Sequence, residues 1–169
     1  MASSPWLSPE EQHLWRSWLA LTSALPAALH RELQADAGLS LPDFDVLVRL
    51  SESHDGRLRV SELARVLGWE RSRLSHHVAR MERRDLVGHE DCPDDGRGAF
   101  VVLTPTGRRA IEDAAPHHVR TVRRLVLDPL DGRDLADLSR IVTTLLARVT
   151  ENAPGAGAPG AGGEPGASP

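Results

Sequence analysis

Apolar residues recur along this chain with two periods, one helical and one strand-like. Leu14, Trp18, Leu21, Leu25, Leu29 and Leu33 fall close to helical spacing and predict a first helix over 10–37. Ser8, Pro9, Glu10 and Glu11 give it a cap, a proline in the first turn and early acids. Gly38 should end it, and Pro26 should kink or split it near Leu25. Ser40, Leu41, Pro42 and Asp43 open a second helix, with Phe44, Leu47, Val48 and Leu50 facing inward. Asp55 and Gly56 read as a turn, and residues 57–60 as a short strand. Ser61 should cap a third helix over 62–67, stopped by Gly68.

A fourth helix is predicted over about 70–84. At about 100° per residue, Leu74, Val78 and Met81 make its core side. The opposite side collects Ser72, His76, Ala79 and Arg83, flanked by Arg73 and Arg80. Residues 86–91 and 99–104 then flank a polar segment, 92–98, and predict a two-stranded wing. Thr104 and Pro105 open a fifth helix running to Leu127, which Pro116 should bend or break. Asp128 and Pro129 end it. A sixth helix from Asp131 carries Leu135, Leu138, Val142, Leu145 and Val149 at spacings of three and four, a heptad-like seam suited to another helix. Residues 1–9 read as a flexible lead-in. Residues 153–169, dominated by Ala, Gly and Pro, read as a disordered tail. The predicted fold is mostly α with a small β wing (α+β).

The 169 residues suffice for one domain with a real core. A formal net charge of −4 argues against a generally basic coat protein for nucleic acid. The charge is uneven, however. Between residues 71 and 84 lie Arg71, Arg73, Arg80, Arg83 and Arg84 against a single acid, Glu82. A basic stripe on an acidic body is the footprint of directed DNA binding, although such runs are often only a solvated helix face. All basic residues are arginines, on surfaces of every kind, so arginine usage itself carries no functional reading. The lone Cys92 excludes an internal disulfide. The lack of an apolar run of signal or membrane length predicts a cytoplasmic protein without a membrane partner.

The order helix, glycine turn, arginine-studded helix, hairpin over residues 60–107 describes a winged helix-turn-helix. Such a unit places one helix in the major groove of double-stranded DNA and a loop in the minor groove. The early part of a reader helix meets base edges and the later part lies nearer the backbone. Ser72, Arg73 and His76 are therefore the expected base readers, with Ser75 and His77 at the margin. Arg71, Arg80, Arg83 and Arg84 are the expected phosphate clamps, which fix position without telling sequences apart. In the wing, Gly96 and Gly98 flank Arg97, whose side chain should project from the tip into a narrow A·T-rich minor groove. Asp95 should orient Arg97 or cap the turn.

These residues resemble the MarR family of bacterial regulators, in an actinobacterial-like form. The pattern S-E-L-A-x-x-L-G is matched at 61–68, M-E-R-R-D-L-V at 81–87, and D-x-R-x5-L-T-x-x-G at 95–107. The likeness spans about 10–151. It implies a homodimer in which helices at about 10–37 and 105–150 interlock. The reading part, about 40–107, then serves a pseudo-palindromic operator. It also implies transcriptional control, usually repression, relieved by a small aromatic or anionic effector. Two positions depart from the family pattern. Asp85 stands where glycine is common, and Gly88 and His89 replace an expected basic residue. Trp6, Trp15 and Trp18 near the N-terminus independently suggest an interface.

Other functions find less support. No nucleophile elbow, phosphate loop, dinucleotide fingerprint or zinc-protease motif is present, so neither an enzyme nor a cofactor is expected. A metal-responsive regulator of the same fold would draw on the eight histidines. Yet the neighbours His76 and His77, like His117 and His118, point about 100° apart and make poor two-ligand clamps. A redox-responsive one would rest on Cys92, but Glu90, Asp91, Asp94 and Asp95 surround it and should raise its thiol pKa.

Overall fold

The computed structural model describes residues 6–91 and 99–151. The chain divides into two compact units, one running to Arg123 and one beginning at Arg124. The first holds helix α1 (Pro9–Ala37), α2 (Leu41–Glu52), strand β1 (Arg57–Arg59), α3 (Val60–Leu67), α4 (Arg71–Glu82), β2 (Val87–Asp91), β3 (Ala99–Leu103) and α5 (Pro105–Val122). A π-helical stretch, Arg123–Leu127, leads into the second unit, which holds α6 (Gly132–Glu151).

Helix ends follow the local chemistry. Ser8 and Ser40 each make a full capping box, with Glu11 and Asp43 as the reciprocal acids. Gly38 closes α1 and Gly68 closes α3, both in the left-handed conformation that glycine adopts without steric cost. Neither inner proline splits its helix. Helix α1 runs unbroken through Pro26, and α5 through Pro116. Pro26 and Pro116 are exposed, as are Thr22 and Glu112, the residues four positions before them whose carbonyls lose an amide donor, so that loss falls on the exposed side of each helix. Nor does Ser61 cap α3, which starts two residues earlier than expected, at Val60, with Arg59 as an N-cap lacking a side-chain bond.

The three strands form an antiparallel sheet in the order β1-β3-β2. Arg59 stands opposite Phe100, and Val87 opposite Leu103. The core beneath the sheet is built from α1, α2, α3, α4 and α5. Leu33, Leu47, Leu50, Leu63, Leu74, Val78, Met81 and Val101 are closed to solvent. Val46, not Val48, points fully inward from α2, while Val48 packs at the edge. In the second unit, Asp131 accepts from the backbone of Arg133 and Asp134, both at 2.8 Å, and so opens α6. Leu145 and Val149 of its apolar seam are 45% and 69% exposed.

One contact explains the wing-to-helix signature. After α4 the chain reverses at Asp85, which takes φ 57° without being glycine. Its main-chain oxygen accepts from the Thr104 hydroxyl at 2.6 Å and its carboxylate from the Thr106 hydroxyl at 2.7 Å. These bonds offset a left-handed conformation that costs about 1–2 kcal/mol. The first turn of α5 then lies directly on Leu86. A Cβ on Gly107 would stand 1.9 Å from the Leu86 carbonyl oxygen, so only glycine fits.

Gly107→Ala is therefore expected to destabilise the protein by about 3 kcal/mol, read by chemical denaturation; a change below about 0.5 kcal/mol would show that the two segments do not pack this closely. A second prediction concerns His118, whose ring stacks on Phe44 at 4.3 Å and whose Nδ1 is buried without a hydrogen-bond partner. Burial lowers its pKa below the ordinary 6.5, opposed in part by the charge of Asp45. Because the folded value is the lower one, its share of stability is complete above 6.5. That share is lost as pH falls through the folded value. His118→Leu should flatten the fall in stability between pH 7.5 and 5.5. An unchanged pH dependence would contradict this.

Candidate nucleic-acid interface

Helix α3, a three-residue turn and α4 make the helix-turn-helix. Gly68 turns the chain, and the Trp69 amide bonds back to the Ala64 carbonyl at 2.9 Å. Leu63 and Ala64 of α3 and Leu74, Val78 and Met81 of α4 are buried together. Burying this stripe orients the rest of α4. Arg71, Ser72, Arg73, Ser75, His76, Arg80 and Arg83 are all exposed residues. The apolar and polar sides of α4 thus fall where the periodicity put them.

Individual side chains differ in what they can offer. Arg73 lies over the Trp69 ring at 4.5 Å. A guanidinium stacked on an indole is held in place while its N–H edge stays available for a planar acceptor. The Ser75 hydroxyl donates to the Arg71 carbonyl of its own helix at 2.9 Å. Ser72 and His76 face out on the early and middle turns.

His77 does not share that exposure. It is 7% exposed and sits edge-on to Trp69 at 5.3 Å. Its Nδ1 accepts from Arg80 Nη2 at 2.8 Å. Its Nε2 lies 3.0 Å from Asp43 Oδ1, close but off the line of a good hydrogen bond. Arg84 is exposed but engaged by the protein, donating to Asp43 Oδ2 at 2.7 Å and to the Gly38 carbonyl at 2.8 Å. His77, expected at the margin of the reading face, is thus buried, while Arg84 keeps an exposed side chain that the protein already holds. The reason is Asp43, a carboxylate 3% exposed that must be compensated. Burial alone would raise its pKa. The close approach of the His77 ring, with hydrogen bonds from Arg84 and Ser40, outweighs that and holds its carboxyl well below the usual range.

Sequence reasoning missed three features here. Asp43 read only as a helix-start acid, since its partners lie 34 and 41 positions away. Trp69 was not singled out, although an aromatic in the turn before an arginine helix is a visible signal. Arg57 and Arg59 were also passed over. Two apart in a strand, they share a face, and both approach the Phe100 ring, at 4.9 and 5.4 Å. Arg57 in addition pairs with Glu90 at 3.1 Å. His89, at the departure from the family pattern, pairs with Glu82. Arg97, Asp95 and Cys92 lie outside the described residues.

An open cleft of about 880 Å³ lies between α1, the start of α2, and α4. Pro26, His30 and Gln34 form one wall, and Trp69, Arg73 and Arg80 the other. Among the described residues no group of three or more His, Cys, Asp or Glu is arranged to hold a metal. Among them, too, no helix is long and apolar enough to cross a membrane.

Known proteins agree with this geometry. The sequence profile of the MarR family matches residues 37–98. The crystal structure of AbsC, a MarR family transcriptional regulator from Streptomyces coelicolor, is 39% identical. That match covers 88% of this chain and 100% of AbsC, with a TM-score of 0.82. Sco3205, another MarR family transcriptional regulator from the same organism, solved in complex with DNA, is 40% identical. It covers 91% of this chain and 97% of its own, with a TM-score of 0.84. PcaV, also from Streptomyces coelicolor and solved with its natural ligand, is 25% identical over 91% of this chain and 100% of its own, with a TM-score of 0.67. With two such relatives matched along nearly their whole length, the chain belongs to the MarR family of transcriptional regulators.

Proposed function

We propose that the protein is a homodimeric regulator, most simply a repressor, that reads a pseudo-palindromic operator with α4 in the major groove. The observation that carries this is the split of α4: Leu74, Val78 and Met81 are wholly buried, while Arg71, Ser72, Arg73 and His76 lie exposed on the other side. In this reading Ser72, Arg73 and His76 contact base edges, with Arg73 pre-set by Trp69. Arg71 and Arg83 contact phosphates. Arg97 would enter the minor groove.

The exposed apolar residues support the dimer. Leu14 (68% exposed), Trp15 and Trp18 on α1, and Ile141, Leu145 and Val149 on α6, are more apolar surface than an isolated chain leaves in water without use. A second copy would bury them. The relative solved with its natural ligand supports a ligand-responsive regulator, and the aromatic and arginine side chains that wall the cleft, Trp69, Arg73 and Arg80, support a small aromatic anion as the effector. Arg73 belongs to both cleft and reading face, so ligand and duplex would compete for it. Benzoate and its hydroxylated derivatives should weaken duplex binding. No effect from any of them up to millimolar concentration would remove the effector from the proposal.

Selection of bound sequences from a random duplex library, at two salt concentrations, tests the main reading. An inverted repeat with half-sites about one helical turn apart is expected. Arg73→Ala should then relax the preference at one or two base pairs, costing about 1–3 kcal/mol of discrimination. Recovery of no motif, with affinity collapsing as salt rises, would reduce the binding to phosphate contact alone.

A further inference from the structure

We infer that Asp43 is a positioning residue for DNA reading: from α2, outside the helix-turn-helix, it sets how many arginines of the reader helix are free to meet phosphate. This rests on the proposal that α4 is the reading helix.

Its geometry is that of a hub. Oδ2 accepts from the Ser40 amide at 2.9 Å and from Arg84 Nη1 at 2.7 Å, and Oδ1 faces His77 Nε2 at 3.0 Å. Because His77 Nδ1 accepts from Arg80, the neutral ring must carry its proton on Nε2, the nitrogen turned toward Asp43. The carboxylate favours that tautomer and so keeps Nδ1 open for Arg80. Asp43 thereby retains Arg84 directly and Arg80 through His77. These are two of the five arginines between residues 71 and 84.

Retention has a functional consequence. A guanidinium tied to the protein stays exposed here but has fewer of its five N–H groups, and less freedom of pose, to offer a phosphate, and phosphate contacts raise affinity for every sequence alike. Holding Arg80 and Arg84 back keeps non-specific affinity down and leaves discrimination to the early turns of α4. Asp43 therefore acts on the ratio of specific to non-specific binding rather than on contact with a base.

The variant to measure is Asp43→Asn, which keeps the shape and an acceptor for the Ser40 amide but gives up the charge. Affinity for the selected duplex and for a scrambled duplex is measured between 50 and 200 mM salt. Each arginine released onto a phosphate adds about 0.9 to the salt slope, roughly a further 3-fold loss of affinity over that range. We expect a steeper slope on both duplexes, tighter binding to the scrambled one at low salt, and a smaller ratio between them. Adding Arg80→Ala and Arg84→Ala should return the slope toward that of the parent protein. A merely structural role would lower thermal stability and specific affinity while leaving the slope unchanged, and that outcome overturns the proposal. Should Asp43→Asn fail to fold, His77→Phe keeps a ring beside Trp69 but offers Arg80 no acceptor. A folded His77→Phe with the parent slope likewise overturns it. If the parent protein shows no preference between the two duplexes, it is the reading function that fails instead.

Discussion

A carboxylate shut away from water at the start of α2 ties the first unit together. Asp43 caps its own helix, holds the end of the reader helix through Arg84, and meets the middle of that helix through His77. The same Arg84 reaches the Gly38 carbonyl at the close of α1. Removing one partner of a buried, hydrogen-bonded charge is among the costlier single changes a fold can suffer, of order 3–5 kcal/mol. The pose of α4 thus depends on an anion that takes no part in the apolar core, while the core beneath it supplies most of the burial.

The second constraint is steric. The carbonyl of Leu86 leaves no room for a side chain at Gly107, and the left-handed Asp85 is held by Thr104 and Thr106. This junction fixes where β2 departs from α4 and where α5 begins. It sets the base of the wing relative to the reader helix. Asp85 in place of the common glycine is tolerated because two hydroxyls bind it, those of Thr104 and Thr106 at the start of α5.

Much of this was legible in the residues. Serine caps, closing glycines and the three- and four-residue spacing of leucines located the helices to within a residue or two, except that α5 ends at Val122 and the rest of its predicted span, to Leu127, is π-helical. The 100° rotation between successive positions divided α4 correctly into buried and exposed sides. What the sequence hid was of two kinds. Pro26 and Pro116 look like breaks because a proline removes an amide, but whether the orphaned carbonyl finds solvent depends on which way it faces in the fold. The burial of His77 and the tethering of Arg84 depend on Asp43, far away along the chain, and no local pattern encodes such a pairing. The arginine stripe therefore looked uniform in sequence, and all five arginines are exposed, but Arg80 and Arg84 are in addition hydrogen-bonded to His77 and Asp43.

The central claim is that the exposed side of α4 lies in the major groove and touches bases. Methylation interference on the selected duplex tests it most directly, since a methyl on guanine N7 obstructs the major groove and one on adenine N3 the minor groove. The account predicts strong interference at guanine N7 in two clusters, one in each half-site, about one helical turn apart on the same face of the duplex. Interference confined to the minor groove, or none at any base while neutralised phosphates still abolish binding, would contradict it.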